Sequence, residues 1–358
     1  MKNYRIAFIP GDGVGPEVAL ETRKTLEECG RLFSFAINSE TFAWDCDYYL
    51  EHGRMMPENA LEILKGFDAI FLGSVGDPSK APDHVSLSSL LEIRKGFDLY
   101  VNLRPIILHK GVPSPITTAT PETVDMVVVR ENTEGEYARL GGIFAPDAPN
   151  GFATQMAVFS RKGCERVMRY AFELARTRKA QGYKGKVTSC TKSNALNYSM
   201  VYWDTIFREV AAEYPDIETN YLLVDALSMI MITDPGQFDV IVASNLFGDI
   251  ITDLGSVLQG GIGVAAGANL DPERRFPSMF EPIHGSALAL AGKGVVNPIA
   301  SIESGRMMLE YLGETEAAGA LLKAVQSVLA KGDVRTRDMG GQSGTAEVGD
   351  AIRAALKA

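Results

Sequence analysis

Two aspartates four residues apart carry the strongest chemical signal in the sequence. Asp249 and Asp253 lie in the segment ASNLFGDIITDLGS, directly after an apolar run. If this segment is helical, both carboxylates lie on one face with Cβ atoms about 6 Å apart, and they repel each other unless a cation lies between them. An arbitrary pair at this spacing is more often a solvated helix face. Here the neighbours are apolar and follow a buried strand, where open α/β sheets place ligands, so the pair favours Mg²⁺ or Mn²⁺.

A third acid, Asp225, lies in the apolar segment YLLVDALSMIMI. An ionised carboxylate in an apolar setting is costly unless it is paired or bound to a metal. By itself the residue is equally consistent with a helix cap or with a buried hydrogen-bond acceptor.

Three arginines, Arg94, Arg104 and Arg130, lie at the edges of apolar segments. Arginine binds carboxylates in a planar, bidentate geometry, so three of them together could hold a dicarboxylic acid. The alternative is that they form salt bridges with nearby acids, namely Glu131, Glu134 and Glu136.

Tyr137 in EGEYARLGG and Lys192 in TSCTKSNAL are candidates for proton transfer. This role requires that both side chains share the pocket formed by the arginines. By residue type alone, both are ordinary surface side chains.

These residues are spread along a chain in which strand-like and helix-like runs alternate, the pattern of an α/β protein. The strands predicted with most support cover 4–10, 33–42, 68–73, 124–131 and 238–244. The predicted helices cover 15–30 and 57–65, with one ending near 97 and several more after 298. The segment 138–157 is rich in glycine, proline and small residues, and its composition favours a loop over a subunit-packing arm.

Composition excludes several classes of function. The 358 residues carry a formal net charge of −10, which opposes binding to nucleic acid or to an anionic membrane. No run approaches the roughly 18 apolar residues of a membrane span, and the first residues lack a signal-peptide core. The four cysteines stand singly, so we expect reduced thiols, a cytoplasmic location and no zinc site. The length allows two domains.

The loop IPGDGVGPEV near the start of the chain is similar to a dinucleotide fingerprint but differs from it. That fingerprint requires G-x-G-x-x-G, whereas Gly11, Gly13 and Gly15 give G-x-G-x-G. The third glycine therefore comes one residue too early for the strict fingerprint, and the spacing alone leaves the role of the loop open.

Several motifs, in this order, resemble the β-decarboxylating dehydrogenases, also called the isocitrate/isopropylmalate dehydrogenase family. The motifs are IPGDGVGPEV, IRKGFDLYVNLRP, RENTEGEY, TKSNAL, VDA, SNLFGDIITDLGS, FEPIHGSALALAGKGVVNPIAS and TRDMGGQSGT. The resemblance implies an open twisted α/β sheet in two domains that is not a Rossmann fold. It also implies that the IPGDGVGPEV loop is a tight turn between a strand and a helix. Residues 1–99 and 258–358 would form a large cofactor-binding domain, and 100–257 a small dimer-forming domain with an arm near 138–157. It also implies an obligate homodimer.

The resemblance assigns a role to each candidate residue. It implies that the substrate is bound by Arg94, Arg104, Arg130, Leu90, Leu91 and Asn194. The implied metal ligands are Asp225, Asp249 and Asp253. Tyr137 and Lys192 would be catalytic together with Asp225, and Lys192 and Asp225 would reach into the other subunit's site. The implied cofactor-binding residues are His284, Gly285, Ser286, Ala287, Ala289, Leu290, Val296 and Asn297.

The implied reaction is oxidation and decarboxylation of a 2-hydroxy acid of the (R)-malate type. The metal lowers the pKa of the substrate hydroxyl, Lys192 takes its proton, and Tyr137 returns a proton to carbon after CO₂ leaves. Segments such as PDHVSL and RENTEGEYARLGG favour the tartrate/D-malate branch. Leu90 and Leu91 would suit an isopropyl group, so 3-isopropylmalate is the alternative, and isocitrate is third. A catalytically silent, metabolite-binding member is the alternative from another class.

The cofactor expectation depends on one departure from the family pattern. NAD-using members usually carry an aspartate where this chain has Ala289, and NADP-using members carry a lysine there. NAD is favoured over NADP because no cluster of cations is visible nearby in the sequence. Mg²⁺ or Mn²⁺ is the expected metal, and a K⁺ requirement is left open.

Overall fold

A ten-stranded sheet flanked by helices organises the chain, in a computed structural model that describes residues 2–357. The strands are β1 (Lys2–Gly11), β2 (Phe35–Thr41), β3 (Ala69–Ser74), β4 (Val101–Ile107), β5 (Asp125–Glu131), β6 (Gly135–Phe144), β7 (Phe152–Val158), β8 (Lys186–Thr191), β9 (Glu218–Leu223), β10 (Val240–Ala243), β11 (Ala266–Leu270) and β12 (Ser278–Pro282). The α-helices are α1 (Gly15–Phe33), α2 (Cys46–His52), α3 (Ala60–Leu64), α4 (Asp83–Ser86), α5 (Ser88–Gly96), α6 (Arg161–Ala180), α7 (Ser199–Ala211), α8 (Val224–Thr233), α9 (Asn245–Leu258), α10 (Ile299–Leu312), α11 (Thr315–Lys331) and α12 (Thr345–Ala355).

The strand order in the large sheet is β2-β1-β3-β12-β11-β4-β5-β10-β8-β9, and β6 and β7 form a separate antiparallel ribbon. Strand pairs at both ends of the large sheet are parallel, whereas β12-β11, β11-β4 and β4-β5 are antiparallel. The first five strands of this order come from 1–99 and 258–358, and the other five from 100–257. The two sets meet where β11 pairs with β4. The division into two domains stays a prediction.

The sheet confirms the expected α/β class, and all five predicted strands are present within a few residues of their expected ends. β3, β5 and β10 are buried along almost their whole length, so their apolar runs are continuous and easy to recognise. The predicted helix at 57–65 is shorter, because α3 begins only at Ala60. Within residues 2–357, no helix is both long enough and apolar enough to cross a membrane.

The segment 138–157 is part of a hairpin, so the loop that its composition favoured is wrong. β6 and β7 pair in antiparallel register from Leu140↔Met156 to Phe144↔Phe152. The glycines of this segment do not prevent pairing, because most residues of the two-stranded ribbon are exposed and few side chains have to pack against it. Large apolar side chains on the ribbon are exposed, among them Leu140, Ile143, Phe144, Phe152 and Met156.

The IPGDGVGPEV loop joins β1 to α1 and supports the segment after β12. Gly13 has φ of +61°, and a Cβ there would lie 1.9 Å from the carbonyl oxygen of Ser286, so only glycine fits. The Val14 amide donates a 2.8 Å hydrogen bond to the same oxygen. The carboxylate of Asp12 accepts hydrogen bonds from the amides of Cys46 and Gly76. The loop is thus a rigid support, in agreement with the expected tight turn.

Candidate active site

A cavity of about 200 Å³ opens between the two sets of strands. It collects residues from α5, the antiparallel centre of the sheet, the start of the ribbon, and α9. Predicted site residues among its lining are Leu90, Leu91, Arg94, Arg104, Arg130, Tyr137, Asp249, His284 and Gly285. The fold therefore brings the three arginines, the tyrosine and one of the aspartates together.

Local structure explains how α9 presents its acids to this cavity. Ser244 caps the helix by accepting a hydrogen bond from the Phe247 amide. Glu136, on β6, fixes the same end, since its carboxylate accepts from the Ser244 hydroxyl at 2.8 Å and from the Leu246 amide at 3.0 Å. A negative charge at a helix N-terminus is favourable. Asp249 then lies one turn into the helix.

Asp249 accepts hydrogen bonds from three of the predicted site residues. Its Oδ1 accepts from Arg130 Nη1 at 2.6 Å and from Arg104 Nη1 at 3.2 Å, and its Oδ2 accepts from the Tyr137 hydroxyl at 2.8 Å. Burial raises the pKa of Asp249, but the two guanidinium groups outweigh burial and hold the pKa below its usual range. Burial, followed by the charge of Asp249, raises the pKa of Tyr137. At neutral pH the carboxyl is ionised and the phenol keeps its proton.

The arginines do not use the glutamates offered as alternative partners. Glu131 accepts from the Thr133 and Glu134 amides, Glu134 accepts from Ser160, and Glu136 caps α9. Arg94 instead pairs with Glu281 at 2.7 Å, and Arg104 and Arg130 share Asp249.

Positive charge is undercompensated in the cavity. Burial and the neighbouring Arg104 lower the pKa of Arg130 to about 9, the direction expected when cations are buried side by side. Among residues 2–357, the buried Nε atoms of Arg94 and Arg104 have no hydrogen-bond partner. Spare donors and excess positive charge fit an anionic substrate.

Glu281 is a site residue that sequence reasoning missed. Its Oε1 accepts from Arg94 at 2.7 Å and from Asn269 Nδ2 at 2.8 Å. The Oδ1 of Asn269 in turn accepts from Asn102 at 3.0 Å and Asn132 at 2.9 Å. This buried network joins β12, β11, β4 and the turn after β5, and it fixes Arg94 against the sheet. The available signal was a lone acid in the otherwise apolar segment SMFEPI.

Four of the predicted substrate-binding, metal-binding and catalytic residues do not line this cavity, namely Lys192, Asn194, Asp225 and Asp253. Lys192 Nζ pairs with Asp225 Oδ1 at 2.7 Å, and the hydrogen bond from Lys192 lowers the pKa of Asp225. The Asp225 side chain is 64% exposed in the single chain, so of the two local roles left open by the sequence, the buried hydrogen-bond acceptor is not observed there. The reason is that α8 begins at Val224, which places Asp225 in an exposed first turn. Asn194 is exposed in the turn after β8.

The metal expectation is met only in part within one chain. Asp253 follows Asp249 by one turn of α9, and burial raises its pKa. In the part of the chain that the structure describes, no three His, Cys, Asp or Glu side chains are grouped as metal ligands. A single chain therefore brings together Asp249 and Asp253 on α9, whereas Asp225, the third expected metal ligand, lies on α8.

A second cavity, of about 290 Å³, adjoins the first at His284, which lines both. Its walls are largely apolar and come from the GDGVG loop, the turn after α9, the segment 284–297 and the turn before α12. Predicted cofactor residues in its lining are His284, Ala287, Leu290, Val296 and Asn297. Ser286 and Ala289 contribute carbonyl groups to hydrogen bonds with the Val14 amide and Lys293 Nζ. Its size and apolar walls suit the rings of a nucleotide.

The family model for isocitrate/isopropylmalate dehydrogenase matches residues 5–352. The chain belongs to the isocitrate/isopropylmalate dehydrogenase family. It is 49% identical to a probable tartrate dehydrogenase/decarboxylase of Bacillus subtilis, covering 100% of this chain and 99% of the relative. It is 47% identical to D-malate dehydrogenase (decarboxylating) of Escherichia coli, with 98% of both chains covered.

Solved structures agree with this family membership. The crystal structure of isocitrate dehydrogenase from Methylococcus capsulatus superposes with a TM-score of 0.88 at 36% identity, covering 99% of this chain and 100% of that one. The expected family, its isocitrate/isopropylmalate dehydrogenase-like fold and the assignment as a dehydrogenase are thereby confirmed. Likeness to the tartrate/D-malate branch is confirmed by the two relatives above. Enzymes of this family use NAD or NADP with a divalent metal ion.

Proposed function

We propose that this dehydrogenase oxidises and decarboxylates D-malate or tartrate, using NAD and either Mg²⁺ or Mn²⁺. The observation that carries the proposal is the convergence of Arg104, Arg130 and Tyr137 on Asp249, in a cavity that adjoins a nucleotide-sized one. The names of the relatives, tartrate dehydrogenase/decarboxylase and D-malate dehydrogenase, support the substrate class.

Residues of this chain bind the substrate and hold a proton for transfer to it. Arg94, Arg104 and Arg130 bind the substrate carboxylates, since each is buried and the three outnumber the two carboxylates with which they pair. Tyr137 holds a proton next to the substrate and can deliver it to carbon once CO₂ has left. A bound divalent metal ion supplies the Lewis acid, and the nicotinamide supplies the hydride acceptor.

The donor set fits a metal if two copies of the chain meet. Asp249 and Asp253 offer hard carboxylate oxygens on one helix, and the third ligand, Asp225, comes from the second copy together with Lys192. Exposed apolar side chains support such an assembly: Ile143 on the ribbon is 72% exposed, and Met229 on α8 is 69% exposed. We therefore propose a homodimer with shared active sites, in which the ribbon is the intersubunit arm.

A specific observation favours 3-isopropylmalate as the second candidate substrate. The cavity wall beside the arginines is apolar and includes Leu72, Val75, Leu87, Leu90 and Leu91. Such a wall would accommodate an alkyl group on the third carbon of the substrate. D-Malate has no substituent on its third carbon, whereas tartrate would place a polar hydroxyl group against this apolar wall. Between these two substrates we therefore favour D-malate.

A substrate panel tests the proposal. We expect NADH formation with Mn²⁺ and D-malate or tartrate at a kcat/KM well above that for isocitrate. A far higher kcat/KM for 3-isopropylmalate would overturn the substrate assignment. Absence of turnover with all four acids, combined with retained substrate binding, would favour a catalytically silent member. Repeating the panel with and without KCl determines whether K⁺ is needed.

We also propose a cytoplasmic location. The four cysteines, Cys29, Cys46, Cys164 and Cys190, are free and buried. Unpaired thiols are typical of a reducing compartment.

A further inference from the structure

A third cavity, of about 310 Å³, lies behind the junction at which β4 pairs with β11, and we call it the back cavity. Successive side chains of a strand point to opposite faces of a sheet. On β4, Leu103 lines the back cavity and Arg104 lines the active-site cavity. On β12, Phe280 and Glu281 are divided in the same way. The two cavities therefore lie on opposite faces of the same strands.

The walls of the back cavity are mainly apolar and include three aromatic rings. These rings belong to Tyr170 on α6, Phe280 on β12 and Tyr311 on α10. Phe280 and Tyr311 pack against each other with their ring centroids 5.6 Å apart. Burial raises the pKa of Tyr170 to about 12, so its hydroxyl keeps its proton at neutral pH. Walls of this kind, around a cavity of this size, suit a ligand with one aromatic ring.

Arg274 places a positive charge at the back cavity. Its side chain is exposed, and its guanidinium carbon lies 4.7 Å from the centroid of the Tyr311 ring. The acids nearest to it in sequence, Asp271 and Glu273, both pair with Arg275 instead, at 2.7 and 3.3 Å. The Arg274 guanidinium can therefore bind a ligand carboxylate by charge-assisted hydrogen bonds.

Glu310 places a negative charge at the same cavity. Its Oε1 accepts from Arg306 Nη1 at 2.8 Å, yet its side chain remains 54% exposed. Arg306 also pairs with Glu303 at 2.7 Å, so one guanidinium group serves two carboxylates. These three groups together carry a net negative charge, which attracts an ammonium group and opposes a ligand that is only an anion.

We propose that the back cavity binds a small aromatic amino acid as a zwitterion, and that this ligand alters substrate binding on the opposite face of the sheet. The ring lies among the three aromatic side chains. The ligand carboxylate pairs with Arg274, and its ammonium group pairs with Glu310. The effect on substrate binding rests on the proposed function, whereas the binding site itself does not.

Calorimetric titration with three probes that share one phenyl ring tests the site. L-Phenylalanine carries both charges, 3-phenylpropionate carries only the carboxylate, and phenethylamine carries only the ammonium group. We expect phenylalanine to bind at least about tenfold more tightly than either of the other probes, the lower limit for a hydrogen bond to a charged group. No measurable binding of phenylalanine, or equal affinity for all three probes, overturns the inference.

Two variants assign each charge to its partner. Arg274→Gln should weaken phenylalanine and 3-phenylpropionate about tenfold and leave the phenethylamine Kd unchanged. Glu310→Gln should weaken phenylalanine and phenethylamine without weakening 3-phenylpropionate, and Arg306 keeps its pair with Glu303 in this variant. Arg208→Gln, on the exposed surface of α7, is the matched control and should change no Kd. If Arg274→Gln and Glu310→Gln each weaken all three probes equally, the assignment of the two charges is wrong.

Steady-state kinetics test the effect on the substrate. Saturating phenylalanine should change the KM for D-malate at least about fivefold, the lower end of measured couplings between two sites, because β4 and β12 line both cavities. Arg274→Gln should abolish this change and keep the KM measured without phenylalanine. An unchanged KM at saturating phenylalanine refutes the effect on substrate binding.

The outcomes separate this inference from the proposed function. Turnover of D-malate without any binding of phenylalanine refutes the inference alone. Charge-selective binding of phenylalanine without turnover of any acid in the panel supports the site and refutes the proposed reaction.

Discussion

Replacing Asp249 by asparagine removes one charge from the centre of the site while keeping its shape. The asparagine Oδ1 can still accept from Arg130 and Arg104, but the carboxylate that neutralises these two buried guanidinium groups is lost. On the other side, the amide can still interact with the Tyr137 hydroxyl, although no longer as an anion. The variant therefore separates the charge of Asp249 from its position.

The structure indicates the size of two effects, one on the free energy of unfolding and one on Mn²⁺ binding. Removing one partner of a fully buried pair costs about 3–5 kcal/mol, and Asp249 is 35% exposed, so we expect the free energy of unfolding to fall by about 1–3 kcal/mol. Removing a residue that only hydrogen-bonds to a metal ligand already lowers metal affinity about 10–100-fold. For a ligand itself we therefore expect Mn²⁺ to bind at least about a hundredfold more weakly, with kcat/KM for D-malate reduced by at least that factor.

Calorimetric Mn²⁺ titration, NADH formation and urea unfolding measure these effects on one preparation. Asp125→Asn is the matched control, because Asp125 is 32% exposed and pairs with the buried Arg178 at 3.0 Å, far from the cavity. The control should keep its Mn²⁺ affinity and turnover, and it should lose less stability because Arg178 keeps its ion pair with Asp239. If Asp249→Asn binds Mn²⁺ as tightly as the unmodified enzyme does, or if both variants lose turnover equally, the reasoning about Asp249 is refuted.

Three further predictions address the rest of the site. Glu281→Gln should lower kcat/KM for D-malate about tenfold, mainly through KM, because Arg94 loses its charged anchor; an unchanged KM argues against this role. Mixing inactive Lys192→Ala and Tyr137→Phe chains should restore about a quarter of the activity, since half of the dimers would contain one intact shared site; no recovery contradicts shared sites. Burial raises the pKa of Asp253, so Mn²⁺ affinity should fall as the pH drops toward that raised pKa, because protonation removes a metal ligand. Mn²⁺ titrations from neutral to mildly acidic pH should therefore show an affinity that decreases with pH, and Asp253→Asn should abolish this dependence.

The sequence predicted those parts of the site that local pattern and strand ends determine. Arg130 lies at the end of an apolar strand, and Asp249 lies one turn into a helix that follows another strand, and each was singled out for that position. Leu90, Leu91 and Arg94 share a short helix whose spacing is legible along the chain. These positions depend on few long-range contacts, and the cavity contains all five residues.

Residues whose roles depend on distant pairing were not predictable from pattern. Glu281 on β12 accepts a hydrogen bond from Arg94 on α5, which lies 187 residues earlier in the chain, and no local motif encodes such a long-range contact. Arg337 and Asp338 line the second cavity from the turn before α12, which lies far along the chain from the GDGVG loop. The exposure of Asp225 also escaped prediction, since it depends on where α8 begins rather than on the apolar composition around it. Its role with Lys192 stays a prediction that concerns a second copy of the chain.

Metal-dependent oxidative decarboxylation of a malate-type acid is the activity that we propose for this enzyme. The most direct measurement is the ratio of CO₂ released to NADH formed from D-malate, with Mn²⁺ and after its removal by a chelator. We expect equal amounts of both products, no formation of either in the chelated enzyme, and recovery when Mn²⁺ is returned. NADH formation without CO₂, or turnover that is indifferent to the chelator, would contradict the proposal.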